Sequence, residues 1–234
     1  MLNTPTYKTW GETFPDFKVK LLPLLKNVTW KPVFKQSKEQ LTKVEENLSV
    51  MLKKTKGEIS ILPYPELIFN TFNTINFKHV KVVMVGQDPD KNIKEIKVDG
   101  KNTKIAEAQG MSFSVANHVP IPSSLKNIYN NLEKYGHFVF RPKHGSLEFW
   151  NMQGCLMLNA TLTLQEGISN SHEEYWSEET DDISFTDGII KTLSQKRKHL
   201  VFVLWGKFAL GKLHLIDQKK HKVIISSHPS GFSY

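Results

Sequence analysis

Cysteine is nearly missing from this chain: Cys155 is the only one among 234 residues. No intrachain disulfide can form, and no zinc site can rest on thiolates. Cys155 lies in an apolar run and reads as a core residue. Arginine is almost as scarce. Arg141 and Arg197 are the only two, and lysine supplies the rest of the 31 basic residues. Phosphate would therefore be met by point charges and hydroxyls more than by planar guanidinium forks. No apolar run approaches the ~20 residues that span a bilayer. Met1 to Trp10 holds no apolar stretch of the kind that opens a secretory signal. These absences predict an intracellular, reducing compartment and no membrane partner.

What is present is a basic, core-forming composition. The net charge is +8 and the pI about 9.3, which favours a polyanionic partner such as nucleic acid. Hydrophobic residues make up 39% and charged residues 23%, enough apolar material for a packed interior. The length favours one domain over residues 1–234, with 1–58 as an N-terminal helical extension of it. Within that extension Leu41, Val44, Leu48, Met51 and Leu52 recur at helical spacing. Charge is uneven along the chain. Lys191 to Lys222 carries nine basic residues and one acid, whereas Glu166 to Asp187 carries eight acids and no Lys or Arg. The basic stretch is a candidate face for DNA, and the acidic stretch should lie away from it.

Four short apolar runs stand out: Val82–Val85, Cys155–Leu158, Leu200–Trp205 and Val223–Ile225. None alternates polar with apolar, so each reads as a strand buried on both faces. Helical patterns lie between them at Ser123–Tyr135, Ser146–Gln153 and Thr186–Ser194, and Pro65 suits the start of a helix over Glu66–Phe72. The alternation predicts an α/β fold. It is a three-layer sandwich with a central, mostly parallel four-stranded sheet flanked by helices. Each run ends in a polar turn: Gly86-Gln87-Asp88-Pro89, Asn159, Gly206-Lys207 and Ser227-His228-Pro229-Ser230. Ligand sites in parallel sheets gather at the carboxyl ends of strands, so Gln87, Asp88, Asn159 and His228 are candidates for one cleft.

These residues fall in segments that resemble the family-1 uracil-DNA glycosylases. Val82-Val-Met-Val-Gly-Gln-Asp-Pro89 is similar to the family's water-activating motif, and Gly110-Met-Ser-Phe-Ser-Val115 to its uracil-stacking segment. Ile121–Tyr129 resembles the proline-rich loop and following helix, and Trp150–Thr163 the uracil-recognition strand. Asn170-Ser-His172 and Leu204-Trp-Gly206 also match, and Val223–Ser233 resembles the DNA-intercalation loop. The likeness runs in order from about Leu62 to the last residue.

The resemblance implies an enzyme that flips uracil out of DNA and hydrolyses its N-glycosidic bond, the first step of base excision repair. It implies Asp88 and His228 as catalytic residues, and Gln87, Phe113 and Asn159 as substrate-binding residues. Ser124, Ser230 and Ser233 would grip phosphates, Lys207 would add a charge for the same task, and Phe232 would be the wedge entering the duplex, where the family usually has leucine. No cofactor and no metal are implied. The partner is uracil-containing DNA, single- or double-stranded. A monomer is expected, at the nucleus or another site of DNA replication, with a protein inhibitor or replication partner left open.

Two departures from the family's pattern matter. Asp90 stands where the family has the tyrosine that excludes thymine's methyl group, and residues 90–107 form an inserted loop. Either another side chain of that loop, such as Ile93 or Ile96, fills the gap, which is the favoured expectation, or thymine exclusion is weaker in this chain. Asp90 also sets a second carboxylate near Asp88. The family's chains also continue beyond the point matching Tyr234. These departures keep an alternative open: a DNA- or partner-binding protein on a glycosylase fold with reduced catalysis. A metal-dependent phosphate-ester hydrolase using Asp88 and His228 is a further rival.

Overall fold

The computed structural model describes residues 6–98, 100–138, 140–177 and 183–231. Among them the strands are β1 (Ile61–Leu62), β2 (Val82–Gly86), β3 (Ile93–Val98), β4 (Lys101–Ala106), β5 (Cys155–Asn159), β6 (Leu164–Gln165), β7 (Val201–Trp205) and β8 (Lys222–Ser226). The α-helices are α1 (Trp10–Thr13), α2 (Lys31–Gln36), α3 (Lys38–Lys54), α4 (Asn70–Thr74), α5 (Ser123–Lys134), α6 (Glu148–Met152), α7 (Glu173–Trp176), α8 (Phe185–Lys196) and α9 (Gly206–Leu210).

The central sheet has the order β5-β2-β7-β8, and every neighbouring pair is parallel. Its two faces follow from the period-two alternation of strand side chains. Val83, Val85, Leu156, Leu158, Phe202 and Leu204 enter one apolar cluster. Met84, Met157 and Val203 point the other way, into a second cluster with Leu125, Ile128 and Tyr129 of α5. A sheet covered on both faces is the middle of a three-layer sandwich.

The N-terminal helices close the first layer. In α3, Leu41, Val44, Leu48 and Leu52 are all buried, and they share the cluster of Val83 and Leu156. Burying each such leucine stabilises the fold by roughly 1.5–3 kcal/mol. Phe34 meets Phe69, Phe72 and Phe185 edge-on, at centroid distances of 5.0, 5.2 and 5.0 Å. The Trp30 indole N–H donates to Ile75 O at 2.7 Å, so its polar edge is satisfied inside the core.

Three expectations are corrected. Residues 90–107 are not simply a loop: β3 and β4 pair antiparallel as a hairpin, with Glu95 opposite Lys104. Ile93-Lys-Glu-Ile-Lys-Val98 partly alternates apolar and polar, and Gly100 takes the positive φ of 81° that a tight turn needs. The run Val223–Ile225 is not buried on both faces. Among the described residues β8 pairs only with β7, and Ile224 and Ile225 are 45% and 52% exposed. Its β-branched residues suit the pleat without requiring burial. After Pro65 the chain makes a 3-10 turn at Pro65–Leu67 before α4 begins at Asn70.

Candidate active site

Parallel pairing places every carboxyl end of the sheet on one rim. In the register, Gly86 lies beside Asn159 and Trp205 beside Ser226. At that rim opens a cavity of about 350 Å³, lined by Gln87, Asp88, Phe113, Ser124, Asn159 and His228 among others. Six of the sequence-predicted site residues therefore meet around one space. Lys207 is exposed on α9 and does not line it, and Ser230 sits in the loop that carries His228. Phe232 and Ser233 lie outside the described residues.

The Asn159 amide is held against β2 because position 86 has no side chain. A Cβ on Gly86 would lie 2.3 Å from Asn159 Oδ1 and 2.7 Å from Ser112 Cβ. Asn159 is buried at the end of β5, so its amide faces the cavity from a rigid strand. Phe113 has φ of 62°, a left-handed backbone that costs a bulky residue energy and needs support. The support comes from both sides: Ser112 N donates to Met157 O at 3.0 Å, and Ser114 Oγ accepts from Leu147 N at 2.9 Å. The Phe113 ring is 5.7 Å from Trp205 and 5.8 Å from the His228 ring.

Asp88 is oriented by a residue from a distant turn. Asp88 Oδ2 accepts the Asn170 N–H at 2.9 Å, and Gln87 Nε2 donates to Asn170 Oδ1 at 3.1 Å. Asn170 makes both bonds from a left-handed backbone with φ of 58°. The turn is fixed below by His172, which is fully buried and has its Nδ1 3.0 Å from Thr163 Oγ1. Thr163 Oγ1 in turn accepts the Trp176 indole N–H at 2.8 Å. Burial pushes His172 down to about 4, so it is a neutral interior group. Burial raises the Asp88 carboxyl above its ordinary range, and the N–H of Asn170 offsets part of that. Asn170 was legible only as part of a matching motif. Its contact with Asp88 had no local sequence signal.

His228 is held in one tautomer. Ser230 N donates to His228 Nδ1 at 3.1 Å, which makes Nδ1 the acceptor and leaves the ring proton on Nε2. Burial lowers the pKa, which also favours the neutral ring. Two contacts fix the loop. A Cβ on Gly206 would lie 2.9 Å from His228 Cβ, so the turn after β7 must be glycine for close approach. Asn127 Nδ2 of α5 donates to Pro229 O at 2.9 Å.

The wall near Asp88 differs from expectation. Ile93 and Ile96 do not line the cavity, and Ile93 packs instead against Leu62, Ala106, Ala108 and Leu164. In the hairpin's register Ile93 faces Ala106, which directs it to that small cluster. Asp90, Lys91 and Asn92 form the cavity wall. The Asp90 carboxyl is pushed up to about 7, by burial first and then by Glu107 and Asp88. In the basic stretch, Lys212 is paired with Asp187 at 2.9 Å and Lys220 with Asp217 at 3.3 Å. Much of the acidic stretch, 178–182, lies outside the described residues.

Comparison with known proteins identifies the family to which the chain belongs. The model of the uracil DNA glycosylase superfamily matches residues 72–234. The probable uracil-DNA glycosylase of Acanthamoeba polyphaga mimivirus is 40% identical over 233 residues, 99% of this chain and 59% of that protein. This chain thus spans somewhat over half the length of the mimivirus relative. The uracil-DNA glycosylase of Blochmanniella floridana is 38% identical over 206 residues, covering 88% of this chain and 85% of the relative. That of Caenorhabditis elegans is 40% identical over 222 residues, covering 92% and 71%. The crystal structure of mimivirus uracil-DNA glycosylase superposes with a TM-score of 0.86 at 39% identity, over 99% of this chain and 79% of that one. On the family model and these relatives together, the chain belongs to the uracil DNA glycosylase superfamily.

Proposed function

We propose that the protein is a family-1-type uracil-DNA glycosylase that hydrolyses the N-glycosidic bond of a flipped-out uracil and leaves an abasic site. The observation that supports it most is the single cavity shared by Asp88, Asn159 and His228 beside Phe113. A base inside a duplex is out of reach of any side chain, so extrusion into a pocket comes first, at a cost of a few kcal/mol. Phe113 offers an aromatic face on which a base can stack, worth about 1–3 kcal/mol. The Asn159 amide offers one donor and one acceptor, the complement of O4 and N3–H of uracil. Cytosine presents the reverse pattern there and would leave a buried group unpaired, at roughly 1–3 kcal/mol.

As the bond breaks, the base leaves with the electron pair, and negative charge gathers on O2 while positive charge grows on the sugar. His228 Nε2–H is the donor for O2, and neutrality of the ring leaves that donor in place throughout. Asp88 faces the sugar, stabilises its charge and orients the water whose oxygen bonds to the anomeric carbon. The water's second proton passes to Asp88 or solvent, and the departing base gains a proton in turn. Opposite charges preorganised at both centres lower the barrier. Ser124 and Ser230, with Ser233, Lys207 and Phe232, complete the DNA-facing set, with the serines and Lys207 at phosphates and Phe232 as the wedge. Residues 1–234 act as one domain and as a monomer, inside the cell wherever DNA is replicated.

The test is release of free uracil from single- and double-stranded oligonucleotides. Wild type is expected to release it with or without a chelator, and Asp88→Asn to release it at least about 1,000-fold more slowly. Equal background release from both would favour the alternative, a DNA- or partner-binding protein with reduced catalysis. Loss of activity in chelator would favour the hydrolase rival.

A further inference from the structure

One wall of the cavity has no task in the proposed reaction. With Asn159 at N3 and O4 and His228 at O2, C5 is the corner of the base left unassigned. We place it against Pro89–Asn92, the continuous wall that follows Asp88, while Pro122, Ser124, Leu125 and Ser169 line the rest of the cavity. That wall is pinned. Lys91 O accepts from Gly167 N at 2.8 Å, and Asn92 O accepts from Glu107 N at 3.0 Å. Asn92 Nδ2 donates to Glu107 Oε2 at 2.8 Å, and Lys94 Nζ lies 3.8 Å from Glu107 Oε1. Glu107 is itself buried, directly after β4. Asp90 is therefore a carboxyl set in a fixed wall, rather than a mobile surface acid.

A carboxyl beside C5 discriminates between substituents. A methyl group placed there strips water from the carboxyl and returns no hydrogen bond. A hydroxyl returns one in either protonation state, donating to a carboxylate or accepting from a carboxylic acid. We infer that Asp90 sets specificity at C5, refusing thymine while admitting uracil whose 5-substituent ends in a hydroxyl, as in 5-hydroxymethyluracil. The inference rests on the glycosylase reading above. The groups facing Asp90 are Asp88 and Glu107, with Lys91 on the same wall and Lys94 on Glu107. Because Asp90 is held near 7, both of its states are populated at neutral pH, and each can bond the hydroxyl. The bond broken is the same glycosidic bond, and water remains the only co-reactant.

The experiment measures single-turnover release from duplexes carrying uracil, 5-hydroxymethyluracil or thymine. The readout is the ratio of rates within one preparation, so a general loss of activity cancels. Wild type is expected to release 5-hydroxymethyluracil within about tenfold of uracil, and thymine on the order of 100-fold more slowly than 5-hydroxymethyluracil. Asp90→Val is expected to lower the 5-hydroxymethyluracil-to-uracil ratio about tenfold or more, and Asp90→Asn to keep most of it. Wild type that frees uracil but treats 5-hydroxymethyluracil no better than thymine overturns the assignment to Asp90 alone. A ratio unchanged by Asp90→Val does the same. No release from any of the three duplexes overturns the glycosylase reading and this inference together.

Discussion

Replacing Asp90 by asparagine should stabilise the protein at alkaline pH and scarcely change it at acid pH. The folded carboxyl is pushed up to about 7, whereas an unfolded aspartate titrates near 3.9. Between those values the folded chain holds a proton that the unfolded chain has released. Stability therefore falls as pH rises from about 4 to about 7, and the whole penalty is present above that. Three units at about 1.4 kcal/mol each give about 4 kcal/mol. Asp90 lines an open cavity and keeps some water, which puts the working figure at about 2–4 kcal/mol. His172 works in the opposite sense. Burial holds it near 4, so the unfolded imidazole gains a proton between about pH 6.5 and 4 that the folded one refuses, and stability falls with falling pH. The two slopes largely cancel from about pH 4 to 6.5, and Asp90→Asn exposes that of His172. Urea denaturation at pH 4.5 and pH 8 measures both. The variant should exceed wild type by about 2–4 kcal/mol at pH 8 and by less than about 1 kcal/mol at pH 4.5, with equal m-values. A variant no more stable than wild type at pH 8, or equally stabilised at both, would show that Asp90 carries no such burden.

Two further outcomes test the orientation of the groups proposed as catalytic. Ser230→Pro deletes the N–H that His228 Nδ1 accepts, so the ring is no longer held in one tautomer. Uracil release should fall about tenfold or more, and its acid limb should move to higher pH as His228 becomes easier to protonate. An unshifted limb would mean the burial of His228 alone sets its charge. Asn170→Gly keeps the left-handed backbone and the N–H to Asp88 but removes the acceptor for Gln87. It should slow release only severalfold in kcat, and a loss as large as that of Asp88→Asn would show that the Asn170 side chain carries more of the site than its backbone does.

The sheet was legible because three of its strands are buried on both faces, and such strands appear as unbroken apolar runs. β8 is also β-branched, but only Val223 packs against the core while Ile224 and Ile225 stay exposed, and a β-branched run does not say which side of it is wet. The hairpin at 93–106 was hidden for a different reason. Read against a family pattern it registers as extra length, although Ile93, Ile96 and Val98 among lysines already carry a strand-like pattern. Asp88, Asn159 and His228 could be foreseen as neighbours because parallel topology alone brings strand ends together. What could not be foreseen is what holds each in place. Asn170 bonds Asp88 across 82 positions and Asn127 reaches Pro229 across 102, and neither contact follows from spacing or propensity. The same limit explains the failure of Ile93 and Ile96 as the missing wall. Strand alternation offers each only two directions, and pairing with Ala106 sent Ile93 to the cluster with Leu62 and Leu164. The wall beside C5 was thus left to the residues that precede the hairpin. A gap once assigned to apolar packing is lined by a carboxyl, and under the specificity inferred for Asp90 selection at that corner passes from steric exclusion to hydrogen bonding.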